Sequence, residues 1–198
     1  MTIDIEKPLE LGRAKRLKAA TNDTHARLDQ SIMAGKPFDS RERYGLFVKV
    51  QHQFHRDIDT LYDNPALDRL LPDLPGRRRF TLIEQDLADL GVAPLSSGQA
   101  PAFGVEADIP TALGWLYVAE GSNLGAAFLL KEAAKLGLSE NFGARHLAGA
   151  PEGRGLHWRT FTAALDELEL DENEEKAMVS GAEAAFRRVH GLVRQVFG

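Results

Sequence analysis

Residues 110–137, PTALGWLYVAEGSNLGAAFLLKEAAKLG, decide the fold. The stretch opens on a proline, which suits the first turn of a helix, and closes on a glycine, which suits its end. Between them stand strong helix formers, interrupted by Gly114, Gly121 and Gly125. A glycine inside a helix costs roughly 1 kcal/mol against alanine, so a helix that keeps several gains something from the missing side chains. With about 3.6 residues per turn, steps of seven and then four residues put these glycines on one narrow stripe. A second helix or a flat ligand would each use such a bare stripe, and spacing alone leaves both open.

Outward from this stretch, almost every segment reads as helix. A first helix is expected from about Pro8 to Ala34, stopped by Gly35-Lys36-Pro37. Asp39-Ser40 supplies cap chemistry for a second, from about Arg41 to Tyr62. A short piece starts at Asn64-Pro65 and ends near Pro72, and a third long segment runs from about Pro75 to Leu90 and stops at Gly91. Residues 92–109 read as a connecting loop. After Gly137 the pattern predicts a short helix over Ser139–His146, a turn over Gly149–Gly155, and two last helices at about His157–Leu168 and Glu172–Phe197. Period-two alternation bounded by turn residues is missing throughout, so the expected class is all-α, a compact bundle forming a single domain over 1–198.

Composition narrows the function. At 198 residues, 43% hydrophobic and 27% charged, the chain is large enough to bury a core without staples. A net charge of −5 argues against general nucleic-acid binding. The absence of cysteine removes disulfides, thiolate catalysis, iron–sulfur clusters and zinc ribbons. No run approaches a membrane span, and the N-terminal segment lacks the apolar region of a signal peptide, so the expected location is cytoplasmic.

Few side chains carry chemistry. On the first helix Lys18, Thr21 and His25 share one face, continued by Leu28 and Ile32. Helix rise separates the Lys18 ammonium from the His25 imidazole by roughly 10 Å, an arrangement that suits a metal-bound planar ligand with anionic arms. His52, His55 and Asp59 make an i, i+3, i+7 set, yet Phe47, Val50, Phe54 and Ile58 form a core stripe beside them, and the histidines are expected to edge that core. His146, His157 and His190 stand alone, structural or exposed. Arg77-Arg78-Arg79 reads as a solvated helix start, with docking of an acidic redox partner as the minority reading.

Taken together these segments resemble the haem oxygenases, particularly the bacterial branch used in iron acquisition. Leu17-Lys18-Ala19-Ala20-Thr21-Asn22-Asp23-Thr24-His25 is similar to the family's proximal-helix motif, and Gly114 to Ala127 to its distal helix, where two glycines four apart ride over the haem. Residues Glu140 to His146 resemble a connector of the bacterial members. The resemblance implies that His25 is the iron ligand, that Gly121 and Gly125 face the distal side, and that Lys18 and Tyr117 hold propionates. It further suggests Ser122 and Gln51 near the distal polar and water network, and Lys131 and Thr21 as further contacts to the haem. Ser122 departs from animal relatives, which carry Asp there.

The implied activity is cleavage of haem at a meso carbon, with dioxygen and external electrons, to biliverdin, ferrous iron and carbon monoxide. Nothing in the chain binds flavin or nicotinamide, so a reductase or ferredoxin is the expected electron donor, docking near Arg13, Lys15, Arg16 and Lys18. A monomer is the expected state. A neutral imidazole avoids the electron push of a thiolate, and glycines on the other side remove the acid–base side chains that steer toward peroxidase chemistry. Protons would then arrive through ordered water. The rival readings are a haem carrier using the same pocket without turnover, and a thiaminase-like or di-iron protein, which would need a thiol or a paired Glu-x-x-His set that the chain lacks.

Overall fold

A computed structural model describes residues 12–96 and 98–198. The described residues form seven α-helices: α1 (Arg13–Ala34), α2 (Arg41–Ile58), α3 (Pro65–Leu70), α4 (Phe80–Leu90), α5 (Ile109–Ala134), α6 (Arg154–Glu167) and α7 (Glu172–Phe197). The fold is all-α, as the periodicity predicts. None of the helices is long and apolar enough to cross a membrane.

Capping chemistry sets most of the boundaries. Ser40 accepts a bond from the Arg43 amide and starts α2, and Asn64 caps α3 through the amides of Ala66 and Leu67. Asp108 accepts from the Thr111 amide at 3.1 Å and starts α5. Asp171 and Glu174 form a reciprocal capping box at the head of α7. Gly91 ends α4 in the left-handed conformation, φ 64°, which glycine adopts without strain.

Four expected boundaries are corrected. The α-helical part of the second segment ends at Ile58 and continues to Asp63 as a 3₁₀ turn. Pro75–Arg77 is a separate 3₁₀ turn, and α4 starts only at Phe80 because Arg78 is extended. α6 begins at Arg154, three residues before the expected start. The expected Ser139–His146 helix is absent, leaving a tight loop and a 3₁₀ turn at 145–147. Its amides are captured from outside: Asp89 accepts from Gly143, and Asp86 from Arg145 and His146. An N–H drawn to a carboxylate on α4 is lost to an intrahelical ladder. The expected residues 8–11 of the first helix lie outside the described ones.

The centre of the molecule is the pairing of α5 with α7. Residues 112–120 of α5 are all buried, as expected of a helix surrounded by others. α7 meets it with a stripe that includes Met178, Gly181, Ala182 and Ala185. Here the backbones touch. A methyl group on Gly114 would lie 2.1 Å from the Met178 carbonyl oxygen, and one on Gly181 would lie 2.4 Å from that of Thr111. Packing therefore explains Gly114. Gly114→Ala is expected to lower stability by roughly 1–3 kcal/mol, despite alanine's better helix propensity, because backbone cannot step aside as a flexible side chain can. Denaturant unfolding measures it, and an unchanged midpoint would contradict the close crossing.

α1 lies on α7 and α6, and so does α5, while α1 and α5 have little direct contact. The two helices thus flank α6 and α7 without packing closely on each other.

Candidate functional site

Leu17, Thr21 and Leu28 are the buried face of α1. Thr21 is turned inward, and its hydroxyl donates to the Leu17 carbonyl at 2.8 Å. That corrects its grouping on one face with Lys18 and His25: a threonine can satisfy its hydroxyl on its own helix and be buried cheaply. Lys18 and His25 stand on the flank of that face, and both are exposed. The His25 side chain is 60% exposed, with Nδ1 3.2 Å from Asp29 Oδ2 and the ring edge-on to Phe186 at 5.8 Å. So exposed an ion pair contributes little to stability.

On α5 the environment changes at one residue. Glu120 is buried, whereas Ser122, Leu124, Gly125, Ala127 and Phe128 are exposed. A methyl group on Gly121 would touch the Trp158 ring at an ordinary 3.6 Å, and one on Gly125 would meet no described atom within 4 Å. The glycine stripe therefore divides. Gly114 serves a helix crossing, while Gly121 and Gly125 are bare where no described neighbour needs them to be. Tyr117, one turn before Gly121, is buried against Trp158 at 5.5 Å. Burial raises its phenol above the usual range, so the hydroxyl remains a donor. Ser122 donates to the Ala119 carbonyl at 2.7 Å, which leaves its hydroxyl oxygen acceptor capacity. Lys131 is exposed one turn beyond Phe128, and Gln51 is half-buried on α2.

Arg77-Arg78-Arg79 is corrected as well. Only Arg78 meets the solvated expectation, bridging Asp59 and Asp63. Arg77 is 2% exposed. It donates to Glu120 Oε2 at 2.8 Å, to the Pro72 carbonyl at 2.8 Å, to the His157 carbonyl at 3.2 Å and to Thr160 at 3.1 Å. His157 completes this set, with Nδ1 2.8 Å from Glu152 and Nε2 3.4 Å from Glu120. Hydrogen bonds to Glu120 and Glu152 raise its pKa. Arg13 and Arg16 of the expected docking patch both pair with Glu175, and Arg13 is buried.

Around this set lies a buried polar region that the sequence did not announce. His146 Nδ1 is 2.7 Å from Asp86 Oδ2. Burial pushes the Asp86 carboxyl up, but the bonds from His146 and Arg145 outweigh it and hold the carboxyl below its usual range. His55 is buried, and desolvation, aided by the neighbouring His146, Arg79 and His52, lowers its pKa to about 3. It is neutral at any physiological pH. Tyr62 OH, Glu120 Oε1, His55 Nδ1, His146 Nε2 and Arg79 Nε are all buried without a protein partner. Buried polar atoms concentrated in this way are natural positions for ordered water. Among the described residues no three His, Asp or Glu side chains converge on a metal site, and His52 and His55 lie within the core rather than at its edge.

A family model described as heme oxygenase matches residues 12–195. The heme oxygenase PigA of Pseudomonas aeruginosa is 45% identical over 185 residues, 93% of this chain and 93% of that protein. Among solved structures, the NO- and CO-bound heme oxygenase of Neisseria meningitidis matches with a TM-score of 0.89 at 43% identity, over 95% of this chain and 93% of that one. A heme oxygenase from Leptospira interrogans, at 17% identity and a TM-score of 0.76 over 93% of this chain and 100% of that one, shares the fold.

Proposed function

The chain belongs to the haem oxygenase family, and from that premise we propose that haem lies between the His25 imidazole on α1 and the bare backbone at Gly121 and Gly125 on α5. The activity is that of the family: oxidative opening of haem to biliverdin, iron and carbon monoxide. The observation that carries the site is Gly125, a mid-helix glycine with open space where its side chain would stand. An exposed imidazole and the exposed apolar Leu124 and Phe128 fit a flat hydrophobic macrocycle with a central metal.

The residues divide the work by chemistry. His25 supplies one neutral nitrogen to the iron. Lys18 and Lys131 are exposed cations suited to carboxylate arms, and the Tyr117 hydroxyl is a neutral donor suited to the same groups. No titrating side chain stands at Gly121 or Gly125 to deliver a proton directly. The buried polar region behind α5 supports water-borne proton supply, since its one strongly shifted histidine, His55, does not ionise near neutrality. Gln51 and Ser122 would join the near end of that water structure. Reaction with dioxygen draws electrons from outside, from a reductase or ferredoxin, with the chain acting as one cytoplasmic domain and a monomer.

The test is direct. One equivalent of hemin is titrated into the protein, and a reductant is then added under air. A bilin absorbance replacing the haem band is expected, whereas persistence of intact haem would convert the reading to that of a carrier.

A further inference from the structure

Two arginines grip the distal helix on either side of Gly121, and they do so differently. Arg77 closes on the Glu120 carboxylate in a site buried on all sides, spanning α5, α6 and the Pro72 carbonyl. Glu120 also closes the unbroken buried run 112–120 of α5, whose other anchor is the Gly114 crossing with α7; beyond it Ala126 and Ala133 are buried. Everything up to Glu120 is thus fixed. From 121 to 128 come two glycines and mostly exposed side chains, with Ala126 the one buried residue, and Ser122 bonds back onto its own helix.

Two contacts from α6 reach this exposed stretch. One is the ordinary van der Waals contact of Trp158 at Gly121. The other is Arg154, the first residue of α6, which donates through one terminal nitrogen to the Asn123 carbonyl at 2.8 Å and through the other to the Leu147 carbonyl. Leu147 ends the 3₁₀ turn that Asp86 fastens to α4. A half-buried guanidinium therefore ties the carbonyl midway between the two distal glycines to a rigid part of the molecule. Insertion of a side chain at a helix carbonyl is a recognised cause of helix bending. Being half-exposed and made to a neutral carbonyl, this bond is also one that water can replace.

We propose that Arg154 is a positioning residue: a latch that holds the Gly121–Gly125 stretch of the distal helix at its working height, with Arg77–Glu120 as the fixed point about which that stretch opens. The proposal rests on the reading of this stretch as the distal wall of the haem site. Haem entry and bilin release require the segment to move, and the latch sets how often it does.

The variants are Arg154→Met, which keeps the stem and removes both bonds, and Arg154→Lys, which retains a single donor. Arg159→Met, an exposed arginine on the same helix, is the control. Amide exchange of the haem-free protein is followed by segment, and hemin transfer to an excess of apomyoglobin is followed by absorbance. In Arg154→Met, exchange over 121–128 is expected to rise about tenfold, the effect of losing one charge-assisted bond, with residues 112–119 unchanged. Hemin transfer is expected to quicken by a similar factor, and Arg154→Lys to fall between. Equal exchange over 121–128 in Arg154→Met and the native protein would overturn the latch. A rise spread equally over 112–119 would overturn it too, by showing a general loss of structure. Failure of the native protein to take up hemin would refute the haem site itself, while the haem-free exchange result would still decide whether Arg154 holds the helix.

Discussion

His25→Ala is expected to abolish the histidine-type spectrum of the hemin complex and to cut bilin formation at least about a hundredfold, since losing even the hydrogen-bond partner of a metal ligand costs 10–100-fold. The fold should not notice. The His25 side chain is 60% exposed, its one ion pair is to an equally exposed Asp29, and its contact with Phe186 is an edge of one ring. Loss of an exposed pair of this kind changes stability by less than about 1 kcal/mol. The expected result is therefore an asymmetric one: thermal unfolding of the haem-free variant unchanged, turnover nearly gone. Native-like bilin formation by the variant would remove His25 from the iron. Equal losses of stability and activity would assign it to the fold.

How much of this was legible before the structure depends on whether a residue's partner is near in sequence. His25 and Lys18 are seven apart on one helix, so periodicity alone puts them on one side of α1, but on the side of Leu28 and Ile32 rather than on the exposed flank they occupy. Thr21 belongs to the same spacing but is buried, because a threonine that bonds the carbonyl four residues back can face inward as readily as out. The helix ends at Ala34, Leu90 and Phe197 follow from glycine punctuation or simple amphipathic pattern. The Ser139–His146 segment reads as helix only while Asp86 and Asp89, more than fifty residues earlier, are ignored.

The arginine triplet is the clearest case. Three identical neighbours have three fates, set by Glu120, by Asp59 with Asp63, and by the Ala148 carbonyl. No local pattern distinguishes them. One signal was available from the other side. Glu120 is a single carboxylate at the end of an apolar run that a core must bury, and a buried carboxylate requires a cation. Starting from Glu120 would have pointed to a buried arginine without saying which.

The sequence presents the glycine stripe as one object with a packing and a functional alternative. It is two objects, and Gly125→Ala separates them. At Gly114 an added methyl strikes backbone at 2.1 Å, whereas at Gly125 it enters open space. In the haem-free protein Gly125→Ala should therefore behave as a simple helix improvement, gaining roughly 0.5–1 kcal/mol from the lower entropy cost of ordering alanine. For a chain of this size that corresponds to a rise in Tm of about 2–4 °C per kcal/mol. On the proposed haem site, the same methyl would project from the distal helix into the space where haem and dioxygen are to meet. Displacement of reacting groups by about 1 Å can cost on the order of a hundredfold in rate, and bilin formation should fall accordingly while hemin is still taken up. Gly125→Leu should go further and obstruct uptake itself. The decisive combination is a more stable protein that is a poorer enzyme, because only a site kept bare for a ligand predicts both signs at once. A variant that is more stable and fully active would leave Gly125 without a function, and one that is less stable would mean the space beside it is already filled by the chain.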